Sequence, residues 1–221
     1  MKKLFLVGAL ALTGLFATAQ ESEGLKGTWF VGGQLGFGST DDGKKYSEKT
    51  SSISAVPIVG TFVSPSVAVG LGIGYLGGSS KVGDYDQDKS SKIVIKPLVR
   101  KYWNITGGLF FYGQIAAPVI IGTDTKYTYT VDINTGKEVK NENKTNTSDI
   151  GLEVSPGFDY VINKWLTIET SFTIFSFNYH SSKEDVKDAK ASSEVNVSAN
   201  PFKSMDDRTV GALQVGVKFL F

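Results

Sequence analysis

The chain has 221 residues, with 23 basic and 22 acidic side chains, one histidine and no cysteine. Near-balanced charge excludes the basic excess that nucleic-acid binding needs. Without cysteine there are no disulfides, thiol nucleophiles or thiolate metal sites, and one histidine is too few for ordinary zinc or iron centres.

Lys2 and Lys3 precede an apolar run from Leu4 to Phe16, and Ala17-Thr18-Ala19 is a small-x-small cleavage site. This is the layout of a secretory signal peptide over residues 1–19, with the mature chain starting at Gln20. The run is too short to cross a bilayer comfortably as a helix, and no other long apolar run follows. Removing Lys2 and Lys3 from the 23 basic residues leaves 21 against 22 acidic ones. Residues 20–221 fit a single domain.

Eight strand-like stretches follow, near residues 27–38, 52–63, 67–78, 92–103, 108–122, 149–162, 165–179 and 209–221. Their connections alternate between short turns (Ser64-Pro65-Ser66, Asn104 to Gly107, Asn163-Lys164) and long loops (39–51, 79–91, 123–148, 180–208). Short turns on one side and long loops on the other is the pattern of outer-membrane barrels, whose short turns are periplasmic. The expected fold is all-β, an eight-stranded antiparallel up-and-down transmembrane β-barrel; ten strands is the alternative if a long loop hides another hairpin. Pro57, Pro97, Pro118 and Pro156 lie inside these stretches and are read as bulges or lost ladder bonds. Tyr127 to Ile133 alternates before an Asn134-Thr135-Gly136 turn, which predicts a projecting hairpin.

Period-2 alternation assigns the faces. Trp29, Val31, Leu35 and Phe37 point outward on the first strand, and Val67, Val69, Leu71, Ile73 and Tyr75 on the third. The second strand has no readable parity. The inward set carries Lys96, Arg100, Glu153, Asp159, Glu169 and Lys218, three charges of each sign. Arg100, Asp159, Glu169 and Lys218 lie three to four residues from the short-turn end, so they are expected in one layer, with Glu169 and Lys218 paired directly or through a third member. An eight-stranded barrel is just wide enough to be filled by side chains. A structural salt-bridge plug is therefore favoured over an ion path.

Residues 209 to 221 read TVGALQVGVKFLF. Leu213, Val215, Val217, Phe219 and Phe221 share one face, and the segment resembles the C-terminal assembly signal of Gram-negative outer-membrane barrels. The mature chain as a whole resembles the small outer-membrane barrel family that includes outer-membrane protein X, the opacity-type proteins and the membrane domain of outer-membrane protein A. That resemblance implies a non-enzymatic monomer in the outer membrane with both termini periplasmic. It also implies contact with lipid and lipopolysaccharide, insertion by the barrel-assembly machinery, and loops that meet an unknown extracellular ligand in adhesion or envelope integrity. The outer-membrane protein W type is similar in size and implies the runner-up, a small-solute channel.

No cofactor or metal is expected. Asp84, Asp86 and Asp88 alternate without EF-hand spacing and read as a solvated acidic loop. Gly70-Leu71-Gly72-Ile73-Gly74 lies within a strand and is no nucleotide loop. His180 and Ser182 form a His-x-Ser that resembles the lipid A deacylase family at that level only. Counted along its strand, His180 is expected beyond the bilayer as an exposed loop histidine, not a catalyst.

Overall fold

A computed structural model describes residues 25–41, 48–133, 136–186, 189–199 and 214–221. The proposed signal peptide and Leu213 lie outside the described residues. The strands are β1 (Trp29–Asp41), β2 (Glu48–Ser64), β3 (Val67–Val82), β4 (Tyr85–Thr106), β5 (Leu109–Ala116), β6 (Val119–Val131), β7 (Glu138–Asn163), β8 (Leu166–Ser171), β9 (Phe175–Glu184), β10 (Ser192–Ser198) and β11 (Gln214–Leu220). All the described pairings are antiparallel.

Eleven segments replace the eight expected, for identifiable reasons. β5 and β6 form one column broken at Ala117-Pro118, where the proline has no N–H to donate. β8 and β9 form another, broken at residues 172–174 opposite Pro156 of β7. β10 and β11 both run antiparallel to that second column, one on each half. The expected loops 79–91 and 123–148 are largely strand, because β3, β4, β6 and β7 run far past the predicted ends. The predicted projecting hairpin is the end of β6 and the start of β7.

The sheet closes on itself. β1 pairs with β2 and with β11, β11 with β8, and β8 with β7, which leads through β5, β4 and β3 back to β2. The closing ladder aligns Phe30 with Leu220 and Gly33 with Val217. At one end of the sheet the turns are tight. Gly107 and Gly108 both adopt positive φ between β4 and β5, which side chains disfavour. The Ser64 hydroxyl accepts from the N–H groups of Ser66 and Val67, and the Asn163 carboxamide oxygen accepts from the Trp165 N–H.

Closure gives every strand an inside and an outside. Leu35 and Phe37 are 84% and 81% exposed on the outer face, whereas Arg100 and Lys218 inside are each 1% exposed. β2 now has a parity: Val56, Ile58 and Phe62 point inward while Pro57, Val59 and Val63 point out. Both its faces are apolar, which is why alternation could not orient it. Its inward Ile58 and Phe62 join Phe30, Ala68, Leu98, Tyr102, Tyr112 and Leu220 in an apolar cluster inside the sheet. Val67, expected outside, is buried.

Between β8 and β9 the register against β7 slips by one residue. A one-residue slip exchanges the two faces of a strand. Thr167, Glu169 and Ser171 point inward before the bulge, and Ser176, Asn178 and His180 after it. His180 is therefore a strand residue aligned with Asp149 of β7, correcting the expectation of an exposed loop histidine.

Close packing between strands at Gly157 can be tested. A Cβ at Gly157 would overlap the Thr170 carbonyl oxygen and the Tyr112 ring, whereas at Gly113 it would meet Trp103 atoms at 3.6 and 3.7 Å, an ordinary contact. Gly157→Ala is expected to destabilise by roughly 1–3 kcal/mol through overpacking, and Gly113→Ala to be near neutral. Urea unfolding in detergent measures both; equal midpoints for the two variants would contradict the packing described.

Candidate functional site

The inward charges converge. Arg100 comes from β4, Asp159 from β7, Glu169 from β8 and Lys218 from β11, and the four occupy one layer near the tight-turn end. Arg100 grips Glu169 with two N–H groups, at 2.6 and 3.3 Å, and its Nε donates to the Gln114 side-chain oxygen at 2.7 Å. Lys218 donates to Asp159 and, at 3.3 Å, to the Tyr102 hydroxyl, with Glu169 3.8 Å away. Two cations and two anions make the layer neutral. Forked, charge-assisted bonds of this kind are among the strongest a protein makes. They offset the large cost of removing four charges from water.

Aromatic rings wall the layer. The Arg100 guanidinium lies 4.8 Å from the Tyr112 ring centre, and the Lys218 ammonium lies 5.2 and 5.6 Å from those of Tyr102 and Phe30. Tyr102 and Phe30 were not among the candidate residues. Their even-numbered positions could have revealed them, since Phe30 lies between outward Trp29 and Val31 and Tyr102 precedes outward Trp103.

Above this layer the interior charges meet in separate pairs. Lys96 meets Glu153 at 2.6 Å and Lys92 meets Asp124 at 2.8 Å. Higher still, Asp149 accepts from Asn178 at 3.2 Å and lies 2.6 Å from His180 Nδ1. Lys92, Asp124 and Asp149 were missed: Asp124 was assigned to a loop, and the bulge hid the His180 that meets Asp149, although the parity that turns Lys96 and Glu153 inward turns Lys92 and Asp149 inward too. Of the assembly-signal residues that are described, Val215, Val217, Phe219 and Phe221 are all exposed on the outer face. Among the described residues no group of three His, Cys, Asp or Glu side chains is placed to hold a metal ion.

At the other end, the β3–β4 and β6–β7 hairpins extend well past the 9–11 residues a spanning strand needs. Asp86 staples them together. It takes ion pairs from Lys140 at 2.8 Å and Lys81 at 3.0 Å, and its N–H donates to the Tyr129 hydroxyl at 3.1 Å. Tyr85 meets Tyr129 edge-on, with ring centres 4.8 Å apart. The hydrogen bonds from Lys140 and then Lys81 lower the Asp86 pKa, and the bond to Asp86 raises that of Lys140. The Asp86 region is thus an ion-paired junction and not the solvated acidic loop expected.

No protein-family profile matches the chain, and no curated protein matches it. Among solved structures it is similar to the N-terminal β-barrel domain of Pseudomonas aeruginosa OprF, at 11% identity and a TM-score of 0.30, covering 89% of this chain and 98% of that one.

Two predictions follow from these contacts. Glu169→Leu strands Arg100 in the interior and is expected to cost about 3–5 kcal/mol, while the Arg100→Met, Glu169→Leu double variant should recover most of that loss. Urea unfolding of wild type, both singles and the double decides it; a double variant as unstable as the sum of its singles would refute the pairing. The Asp86 junction has a lowered carboxyl pKa, so its stabilisation is complete above the ordinary aspartate value of about 4 and fades as pH falls through the lowered value. The Tyr129 ring resonances should therefore shift on acidification in wild type and not in Asp86→Asn. An identical acid response in both proteins would exclude Asp86 as the cause.

Proposed function

We propose that this protein is an integral outer-membrane β-barrel whose lower lumen is filled by side chains. It works through its projecting hairpins in envelope integrity, adhesion or surface interaction. The observation that carries this reading is inverted polarity. The closed sheet buries two arginine and lysine cations with their carboxylates inside, and displays Trp29, Leu35, Phe37, Ile73, Ile93, Ile121, Ile168 and Val217 outside. In water such an outer face would be a large apolar patch; in lipid it is the ordinary exterior of a closed sheet. Trp29, Trp103 and Trp165, all exposed, cluster at the tight-turn end, where Trp165 stacks on Phe219 and Trp103 packs on Phe111. Aromatic girdles of this kind mark a membrane interface. In this orientation the tight turns are periplasmic, the hairpins are extracellular, and the outward face of β11 is what the assembly machinery reads.

A second reading, a small-solute channel of the outer-membrane protein W type, is favoured by one observation. The seam ladder aligns only Phe30 to Gly33 with β11, and among the described residues β1 beyond Gly33 pairs with β2 alone. An outward-facing apolar hollow of ≈ 390 Å³ at Gly33, Leu35, Pro57, Val215 and Val217 adjoins that point. Solute uptake into proteoliposomes is the measurement for this reading, and absence of flux removes it. For the filled barrel, purified protein in a planar bilayer is expected to give no steady conductance. Reproducible channel steps in wild type would overturn the plug.

A further inference from the structure

The lumen is filled at one end and hollow at the other. Between β6, β7, β9 and the start of β10 lies a cavity of ≈ 640 Å³, within the size range of small-molecule sites, roughly 300–1,000 Å³. Its wall includes the hydroxyls of Thr145, Thr147, Ser182 and Ser192, together with the His180 ring. Thr147 is buried at its edge, and beside it the buried Asp149 carboxylate lies against His180.

Three features define what would bind there. First, charge is balanced among the described residues. Lys126 and Lys190 line the cavity with Asp124 and Glu184, and Asp124 is already paired with Lys92. A strongly anionic or cationic ligand gains no net attraction from such a wall. Second, among the described residues no phenylalanine, tyrosine or tryptophan lines the cavity, so a planar aromatic ligand finds no large ring to stack on. Third, the histidine is oriented. A carboxylate only accepts hydrogen bonds, so Asp149 holds a proton on Nδ1 and fixes the orientation of the ring. That directs Nε2 towards hydroxyls that can both donate and accept.

We propose that this cavity is a binding site for a small uncharged saccharide, with His180 Nε2 hydrogen-bonded to a sugar hydroxyl and Thr147 and Ser182 completing the contacts. Such a ligand supplies many groups that donate and accept, needs no counter-charge, and matches a hydroxyl-lined cup. The proposal takes from the filled-barrel reading only the side from which the sugar arrives. The one-residue bulge between β8 and β9 is what creates the site, because without it His180 would point outward.

His180 is the sole histidine of the chain, so its imidazole resonances report on this cavity alone. Refolded full-length protein in detergent micelles is titrated with maltose, with inorganic phosphate and with calcium chloride. Maltose is expected to move the His180 signals saturably in the millimolar range. The Thr147→Val, Ser182→Ala double variant is expected to bind about tenfold more weakly, the effect of losing about 1.4 kcal/mol of hydrogen bonding. Its far-ultraviolet dichroism should match wild type. No movement with maltose overturns the proposal, as does movement with phosphate or calcium alone, or an unchanged affinity in a folded double variant. Conductance in the planar bilayer is read on the same preparation, so failure of the sugar site and failure of the filled-barrel reading remain separate results.

Discussion

Arg100 is the side chain on which the interior depends. It projects into a closed sheet, is 1% exposed, and carries a charge that cannot be neutralised by losing its proton. It therefore requires an anion, and Glu169 from β8 supplies one through two contacts. Lys218 imposes the same demand from β11 and is met by Asp159 of β7. The four residues belong to four strands, and β8 and β11 lie beside the seam where the sheet closes. Meeting these charge requirements thus holds the seam strands at the height and rotation at which their ladders pair. A slip of one residue in β11 would turn Lys218 to the outer face and leave Asp159 without its cation.

The rest of the lower interior is organised around those charges. Glycines and apolar residues of β1, β2 and β3 form one wall, where Phe30 packs on Phe62 and Phe62 reaches across to Tyr102. The tyrosines are amphipathic intermediates: their rings lie against the cations and pack on the phenylalanines, and the Tyr102 hydroxyl accepts from Lys218. This gives a filled cross-section with an apolar half and an ionic half. An ionic half alone would need water to satisfy its remaining lone pairs, and an apolar half alone could not accept Arg100.

Much of this was legible from alternation, because a closed sheet with lipid-like and polar faces writes its geometry at period 2. Strands with one apolar face, such as β3, β4 and β11, declared their orientation directly. β2 did not, because its inward Val56, Ile58 and Phe62 are as apolar as its outward Val59 and Val63. Prolines marked where ladders break, at Pro118 and opposite Pro156, but nothing local showed that the second break adds a residue. That single insertion reversed the face of β9 and concealed His180 and Asn178, the partners of Asp149, from a parity argument. Strand ends were also beyond reach, since β4 and β7 continue as polar ribbons whose Thr, Lys, Asn and Glu residues read equally well as loop.

The contrast between the two ends of the lumen has a physical origin in where residue volume is placed. Near the tight turns the inward positions hold Phe30, Phe62, Tyr102, Tyr112, Arg100 and Lys218, all nearly or fully buried. Towards the hairpins they hold Gly36, Gly38, Gly122, Thr147, Ser176 and Ser182. Small residues cannot span the interior, so the hollow there follows from composition and needs no separate device. Its polarity follows as well: glycine exposes backbone, and serine and threonine hydroxyls turn to whatever partner arrives. An imidazole in that setting is the one group whose orientation is decided in advance, because Asp149 on the neighbouring strand holds its Nδ1.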